Sequence, residues 1–372
     1  MAQTLSPVRP VRTIASRTQA AATSLVTLPT VVAHRGASGH RPEHTLDAFR
    51  TAIRMGADEI ELDLVITSDR VLLVRHENEL SRSTDVAHHP RFARRCATRS
   101  VDGVPAAGWF TEDFTLAEVK QLTACERRPR LRPGNTAYDG LEGVPTLDEV
   151  LAMVAAESIR RGRPVGVMLE LKHPSHFAAR GLDMVAPLLA TLRRHRLDGP
   201  HSPVTLMAFE TAVLQELASR SGLATVQLLG RAHERPWDLA CVGDPRTYAD
   251  LATPAGLEWI DQYADGIGAH KDLVLPPGGC PASGSEEGAA SHVVRDAHRL
   301  GLTVHVWTLR AENLFLPAPH RIGDDPSAIG DLAGEVRAFL DAGVDGIITD
   351  HPDLAVAARA AHVADGERQQ AG

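Results

Sequence analysis

Cysteine is scarce. Four residues, Cys96, Cys125, Cys241 and Cys280, are spread over 372 positions, and no Cys-x-x-Cys pair occurs. That spacing argues against a zinc site, which gathers its ligands in close pairs. Their even number permits disulfides, but a chain of this length does not depend on them. No run of about 18 apolar residues is present, so neither a transmembrane helix nor stable membrane insertion is expected. A surplus of positive charge is missing too. The net charge of −8 argues against general nucleic-acid binding. It leaves room for a local basic pocket that takes a phosphate.

Residues 1–29 hold Arg9, Arg12 and Arg17 and no acids, among many Ser, Thr, Ala and Pro. They lack the apolar stretch at the heart of a secretory signal. We read a flexible N-terminal tail and expect a cytoplasmic protein. The alternative is an exported one whose signal goes unrecognised.

Hydrophobic residues make up 43% of the chain, ample for a core. Short β-branched runs alternate with helical stretches, the pattern of an α/β protein. The candidate strands are 30–33, 59–66, 71–75, 165–171, 204–208, 224–229, 266–269, 303–308 and 346–349. Only Thr67, Ser68, Asp69 and Arg70 separate the second run from the third. A parallel crossover needs roughly a dozen residues, so this pair is predicted to be an antiparallel hairpin. One of its strands then lies outside a barrel of eight.

Helix starts are well marked. Thr45 is placed to cap a helix that runs to Met55 and stops at Gly56. Thr115 with Glu118, and Thr146 with Glu149, have the spacing of capping boxes. Residues 79–143 carry scattered Arg, Pro and Gly with weak strand periodicity, and are expected to form an insertion over one barrel face. Residues 276–288, rich in Gly, Pro and Ser, are expected to be a surface loop. The organisation predicted is one catalytic domain over 30–360, followed by a C-terminal tail over 361–372.

Three groups of residues suggest chemistry. His34-Arg35-Gly36 follows an apolar strand directly. Residues at the C-terminal end of a barrel strand face the active-site mouth. A proton-transferring His beside an anion-binding Arg suits phosphoryl chemistry. Taken alone, the triplet also fits a loop His and a surface Arg. Glu61 and Asp63 lie two apart in a strand, so both side chains point to one face. Two such carboxylates repel unless protons or a cation neutralise them, and a hard cation with oxygen ligands, Mg2+ or Ca2+, is the natural filler. The alternative is a solvated strand face. Glu170 and Lys172 repeat the arrangement at the end of another apolar run. They suit a third carboxylate ligand and a phosphate-binding amine, or a structural ion pair. His76 follows the third run and returns towards Glu61 and Asp63, which would give a second acid–base group or a solvated hairpin end.

The resemblance to a known family is carried by longer stretches. HRGASGHRPEHTLDAF from His34, IELDLVITSD and LVRHENELSRSTDVA closely resemble the signature of glycerophosphodiester phosphodiesterases. VHVWTLRAEN at 304–313 and GVDGIITDHP at 343–352 are similar to the family as well. Glu43-His44-Thr45 stands where many members read Glu-Asn-Thr. That variant, with YADGIG at 263–268, resembles the branch of the bacterial periplasmic enzyme.

The resemblance implies a TIM (β/α)8 barrel of the phosphatidylinositol-phospholipase-C-like phosphodiesterase type, with an insertion after the second strand pair. It implies hydrolysis of a small-molecule glycerophosphodiester to sn-glycerol 3-phosphate and an alcohol. Glu61, Asp63 and Glu170 match its metal ligands, with Glu43 at or beside the metal. His34 and His76 match the acid–base pair, and Arg35 and Lys172 the phosphate-binding residues. Trp307 matches an aromatic lining the substrate mouth; packing in the barrel core is its alternative. Ala208-Phe209-Glu210 departs from the usual Ser-Phe-Asp or Cys-Phe-Asp, which leaves Glu210 without a carried-over role. One divalent cation is implied, Ca2+ in preference to Mg2+ from the branch likeness. Two competing readings stand beside this one. An apolar slot shaped by Phe92 and residues 109–114 would suit lysophospholipid or sphingomyelin head groups. A catalytically inert binding barrel would not call for both His34 and His76.

Overall fold

The strands form where β-branched and aliphatic residues cluster between turn residues. They are β1 (Thr30–His34), β2 (Glu59–Ile66), β3 (Leu72–Val74), β4 (Ala97–Val101), β5 (Val104–Gly108), β6 (Gly166–Leu171), β7 (Val204–Ala208), β8 (Ala224–Leu229), β9 (Gly266–His270), β10 (Thr303–Leu309) and β11 (Gly346–Thr349). The computed structural model describes residues 24–276 and 292–371. Most of the expected N-terminal tail, most of the 276–288 loop and Cys280 lie outside these residues. Cys96, Cys125 and Cys241 are free thiols.

Eight of the strands close into a parallel barrel. Its order is β1, β11, β10, β9, β8, β7, β6, β2, and β2 pairs back onto β1. The expected hairpin is present: β3 runs antiparallel to β2, with Leu64 opposite Val74 and Ile66 opposite Leu72. It hangs on the outer edge of β2, which accounts for the ninth run. Helices cover the barrel, among them Leu46–Arg54, Leu147–Arg161, Val185–Arg194, Thr211–Arg220, His292–Leu300 and Leu332–Asp341. The Thr45 hydroxyl accepts from the Ala48 N–H, and both capping boxes are formed.

Period-two alternation divides the side chains of each strand. Outward residues such as Val31, Ile60 and Leu62 join the large core shared with the helices. Inward residues Val32, Met168, Met207, Val226, Leu228 and Ile348 form a second, smaller cluster that fills the barrel.

Two features differ from the sequence reading. Within the 79–143 stretch, β4 and β5 form an antiparallel hairpin turned by Asp102 and Gly103, both at positive φ. Its faces are largely exposed, so no apolar alternation announced it. The Asp-Gly pair was the available signal. At the other end, helix Pro352–Ala371 runs through the residues expected as a tail from 361. Ala, Glu, Arg and Gln are strong helix formers, so a polar composition there does not stop the helix.

Candidate active site

The C-terminal mouth of the barrel collects the ionisable groups. β1 delivers His34 inward, and the chain then turns sharply. Arg35 and Gly36 both adopt positive φ, and a Cβ at Gly36 would stand 2.6 Å from the Ala48 carbonyl carbon. Glycine is therefore required for the turn to pass beneath helix Leu46–Arg54. The turn brings the Arg35 N–H to the Glu61 carboxylate at 3.0 Å.

Strand register assembles the acids. His34 is level with Glu61, and Asp63 is level with Glu170 on the neighbouring strand. Glu61, Asp63 and Glu170 are buried, and each offers an oxygen within 4.8 Å of the others. Lys172 Nζ stands 2.6 Å from Glu170 Oε1 and 3.2 Å from Asp63 Oδ1. Arg35 Nε is 3.2 Å from Asp63 Oδ2.

Electrostatics divides the three carboxyls. Burial and the charges of Asp63 and Glu170 push Glu61 well up. Burial raises Glu170 to about 8, helped by Asp63 and opposed by Lys172. Burial would raise Asp63 as well, but Lys172 and Arg35 hold it well below the usual carboxylate range. Three acids with two cations thus keep Glu61 and Glu170 as acceptors in need of another positive charge. Asp63 Oδ2 and Glu170 Oε1 are buried and accept no well-formed hydrogen bond. A divalent cation that prefers oxygen ligands fits this donor set, with Glu61, Asp63 and Glu170 as the residues that would hold it.

Glu43 lies elsewhere. Its oxygens accept from Arg35 at 3.0 and 3.1 Å, and Arg127 stands 3.4 Å away. Burial would raise its carboxyl, yet Arg35 and Arg127 hold it at about 2. Glu43 is an anchor for these arginines, outside the carboxylate triad.

His34, Arg35, His76 and Lys172 line one cavity with Glu61 and Glu170. The opposite wall is apolar and includes Met207, Phe209 and Trp307. Trp307 both lines the cavity and packs on the inner barrel cluster. Its indole N–H donates to the Gly268 carbonyl at 2.7 Å, and its ring meets Phe209 edge-on at 5.4 Å. Burial and the neighbouring Arg35 lower His34 to about 4, and burial with Arg35 and Lys172 lowers His76 too. Both rings are therefore neutral near pH 7.

Several residues had no assigned role in the sequence reading. Asp350, at the end of β11, lies 2.6 Å from His34 Nδ1. It is itself held by Arg132 at 2.6 Å and Arg310 at 2.7 Å. Asp350 occupies the same position after its strand that singled out His34, so position was a usable signal. His44, noted only as a variant, places Nε2 3.2 Å from both the Asp63 N–H and its carboxylate. Arg127 and Arg132 come from the insertion, which thereby reaches the mouth.

Comparison with known proteins bears on the fold and the family. Among solved structures, the fold is similar to an Oleispira antarctica phosphodiesterase in complex with the product sn-glycerol-3-phosphate. That likeness has a TM-score of 0.55 at 20% identity, covering 89% of this chain and 96% of the other. A glycerophosphodiester phosphodiesterase from Agrobacterium tumefaciens gives a TM-score of 0.52 at 21% identity, covering 89% and 100%. In sequence, the chain is 31% identical to a glycerophosphodiester phosphodiesterase of Arabidopsis thaliana, over 87% of this chain and 83% of that one. It is 30% identical to one of Bacillus subtilis, over 87% and 84%. The sequence model of the glycerophosphoryl diester phosphodiesterase family matches residues 34–354. A match that runs from His34, the last residue of β1, through β11 decides the family: the chain belongs to the glycerophosphoryl diester phosphodiesterases.

Proposed function

We propose that this protein hydrolyses glycerophosphodiesters to sn-glycerol 3-phosphate and an alcohol, with one divalent cation held by Glu61, Asp63 and Glu170. The observation that carries the reading is their convergence with Arg35, Lys172, His34 and His76 at one barrel mouth. When bound, the cation supplies positive charge to the phosphate and to the two acids that burial otherwise drives towards protonation. Arg35 and Lys172 hold phosphate oxygens and oppose the charge that grows on them in the transition state. The histidines take opposite proton duties: one, neutral, receives the nucleophile's proton, and the other, which gives one to the departing alkoxide, takes up its proton when the anionic phosphate enters the cavity and offsets Arg35 and Lys172. Asp350 keeps the His34 ring in a fixed orientation through Nδ1. The apolar wall with Trp307 closes one side of the cavity and lowers the polarity around the reacting group.

The cation we favour is Ca2+ over Mg2+, on the sequence likeness of residues 43–45 and 263–268 to the periplasmic branch. The test is release of sn-glycerol 3-phosphate from glycerophosphocholine, with EDTA and then with Ca2+ or Mg2+ restored. EDTA should abolish release, and Ca2+ should restore it further than Mg2+. Turnover indifferent to EDTA would remove the metal from the reading. Absence of product under every metal would remove the reaction itself.

A further inference from the structure

Beside the catalytic cavity lies a second one, roofed by the insertion. The two share His34, Arg35, His76 and Arg310. Any group in the second cavity is therefore next to the reacting phosphate. Five arginines but only three carboxylates line it.

Most of these arginines are already engaged. Arg35 is taken by Glu43 and Asp63, and Arg127 by Glu43 and Glu77. Arg132 bonds to Glu312, Asp350 and the Ser38 carbonyl. Two are not fully used. Arg310 donates to Asp350 through Nε alone, and its terminal nitrogens have no hydrogen bond among the described residues. Arg128 has no carboxylate partner among the described residues. What fixes these two side chains is Phe315, whose ring centre lies 5.3 Å from the Arg128 guanidinium and 4.8 Å from that of Arg310. Stacking of this kind orients a guanidinium while leaving its edge free to donate. Arg310, Arg127 and Arg132 crowd Arg128 with like charge. Such crowding makes an incoming anion welcome.

We propose that this cavity binds an anionic group on the departing alcohol, so that glycerophosphodiesters whose alcohol carries a second phosphate are the preferred substrates. The inference rests on the hydrolysis proposed above and narrows its substrate class. The uncharged glycerol end can lay its C–H face on Phe209 and Trp307 in the first cavity, with its hydroxyls turned to the polar residues opposite. The alcohol is then directed to the arginine side, where a cationic choline finds repulsion and a phosphate finds Arg128 and Arg310. The chemistry is unchanged. The bond from phosphorus to the alcohol oxygen breaks, water supplies the new P–O bond, and the alcohol leaves with a proton.

The experiment compares 1,3-bis(glycerophospho)glycerol, whose departing alcohol bears a phosphodiester, with glycerophosphoglycerol, whose departing alcohol is neutral. With allowance for the two equivalent ends, kcat/KM should favour the anionic substrate by about tenfold, the scale of one charge-assisted contact. Added salt should erode that preference. Arg128→Glu should abolish it, and Arg128→Lys should keep part of it. Both substrates are read on one preparation, so partial misfolding of a variant cancels in the ratio. Turnover of both substrates with no preference, or a preference unmoved by Arg128→Glu, overturns this inference and leaves the hydrolysis standing. Turnover of neither, with glycerophosphocholine inert as well, overturns both.

Discussion

Two guanidiniums and one imidazole share the Asp350 carboxylate. Burial would raise this carboxyl, but Arg310, Arg132 and His34 hold it well below its ordinary range. It therefore stays ionised wherever the enzyme works, and it fixes which His34 nitrogen faces the cavity. Asp350→Asn removes the charge and leaves Arg132 and Arg310 under-compensated. We expect kcat to fall by roughly 10²–10⁴-fold, as when an orienting carboxylate or its histidine is lost elsewhere. The change should fall on kcat more than on KM, with a displaced pH–rate profile. A variant within about threefold of the parent, with the same profile, would show that His34 does not depend on Asp350. Residues of this kind are the hardest to see in a sequence. His34 and Asp350 are 316 positions apart, and only barrel closure brings them together. Glu61 and Asp63 were legible because their pairing is local and follows from strand periodicity alone.

At the scale of elements, β2 and β6 create the cation site by register. Glu170 stands at about 8 and Glu61 well above its ordinary value while no cation is bound. Both must be ionised to act as ligands, so cation binding should release protons at pH 7. The sign is fixed by the raised values: affinity should climb as pH rises through neutrality towards about 8, where Glu170 ionises. Calorimetric titration in buffers of different ionisation enthalpy reads this release directly. Zero release at pH 7 would mean that the carboxyls are already ionised. The capping boxes offer a simpler test. Thr146 caps the helix that carries the chain from the insertion to β6, and its hydroxyl accepts from the Glu149 N–H at 3.2 Å. Thr146→Ala should lower stability by about 1 kcal/mol, seen as a lower urea midpoint with unchanged slope. An unchanged midpoint would show that the Glu149 side chain suffices as the cap. Such elements were legible because their signals are short-range. The β2–β3 hairpin followed from a four-residue gap, whereas the solvated β4–β5 hairpin left only Asp102-Gly103 as a trace.

On the scale of the whole molecule, the barrel separates function from stability. The mouth concentrates charge for chemistry, and the opposite end of the strands must close the core. Glu59, two residues before Glu61 and on the same inward face, belongs to that lower end. It has no hydrogen bond or ion pair among the described residues, and burial, with a smaller push from Asp58, raises it to about 7. Its position predicts a pH dependence independent of catalysis. A carboxyl raised on folding binds its proton more tightly in the native state. The stability it contributes is complete below about 4.5, its value in the unfolded chain, and is lost as pH rises through about 7. Glutamine has the same shape and no charge at any pH. Glu59→Gln should therefore gain on the parent as pH rises from 5 to about 8.5, by on the order of 1–3 kcal/mol. Urea midpoints of the two proteins across that range measure the gain, with activity as a control that the mouth is untouched. A constant difference across the range would mean that water reaches the half-buried Glu59 carboxylate well enough to solvate its charge.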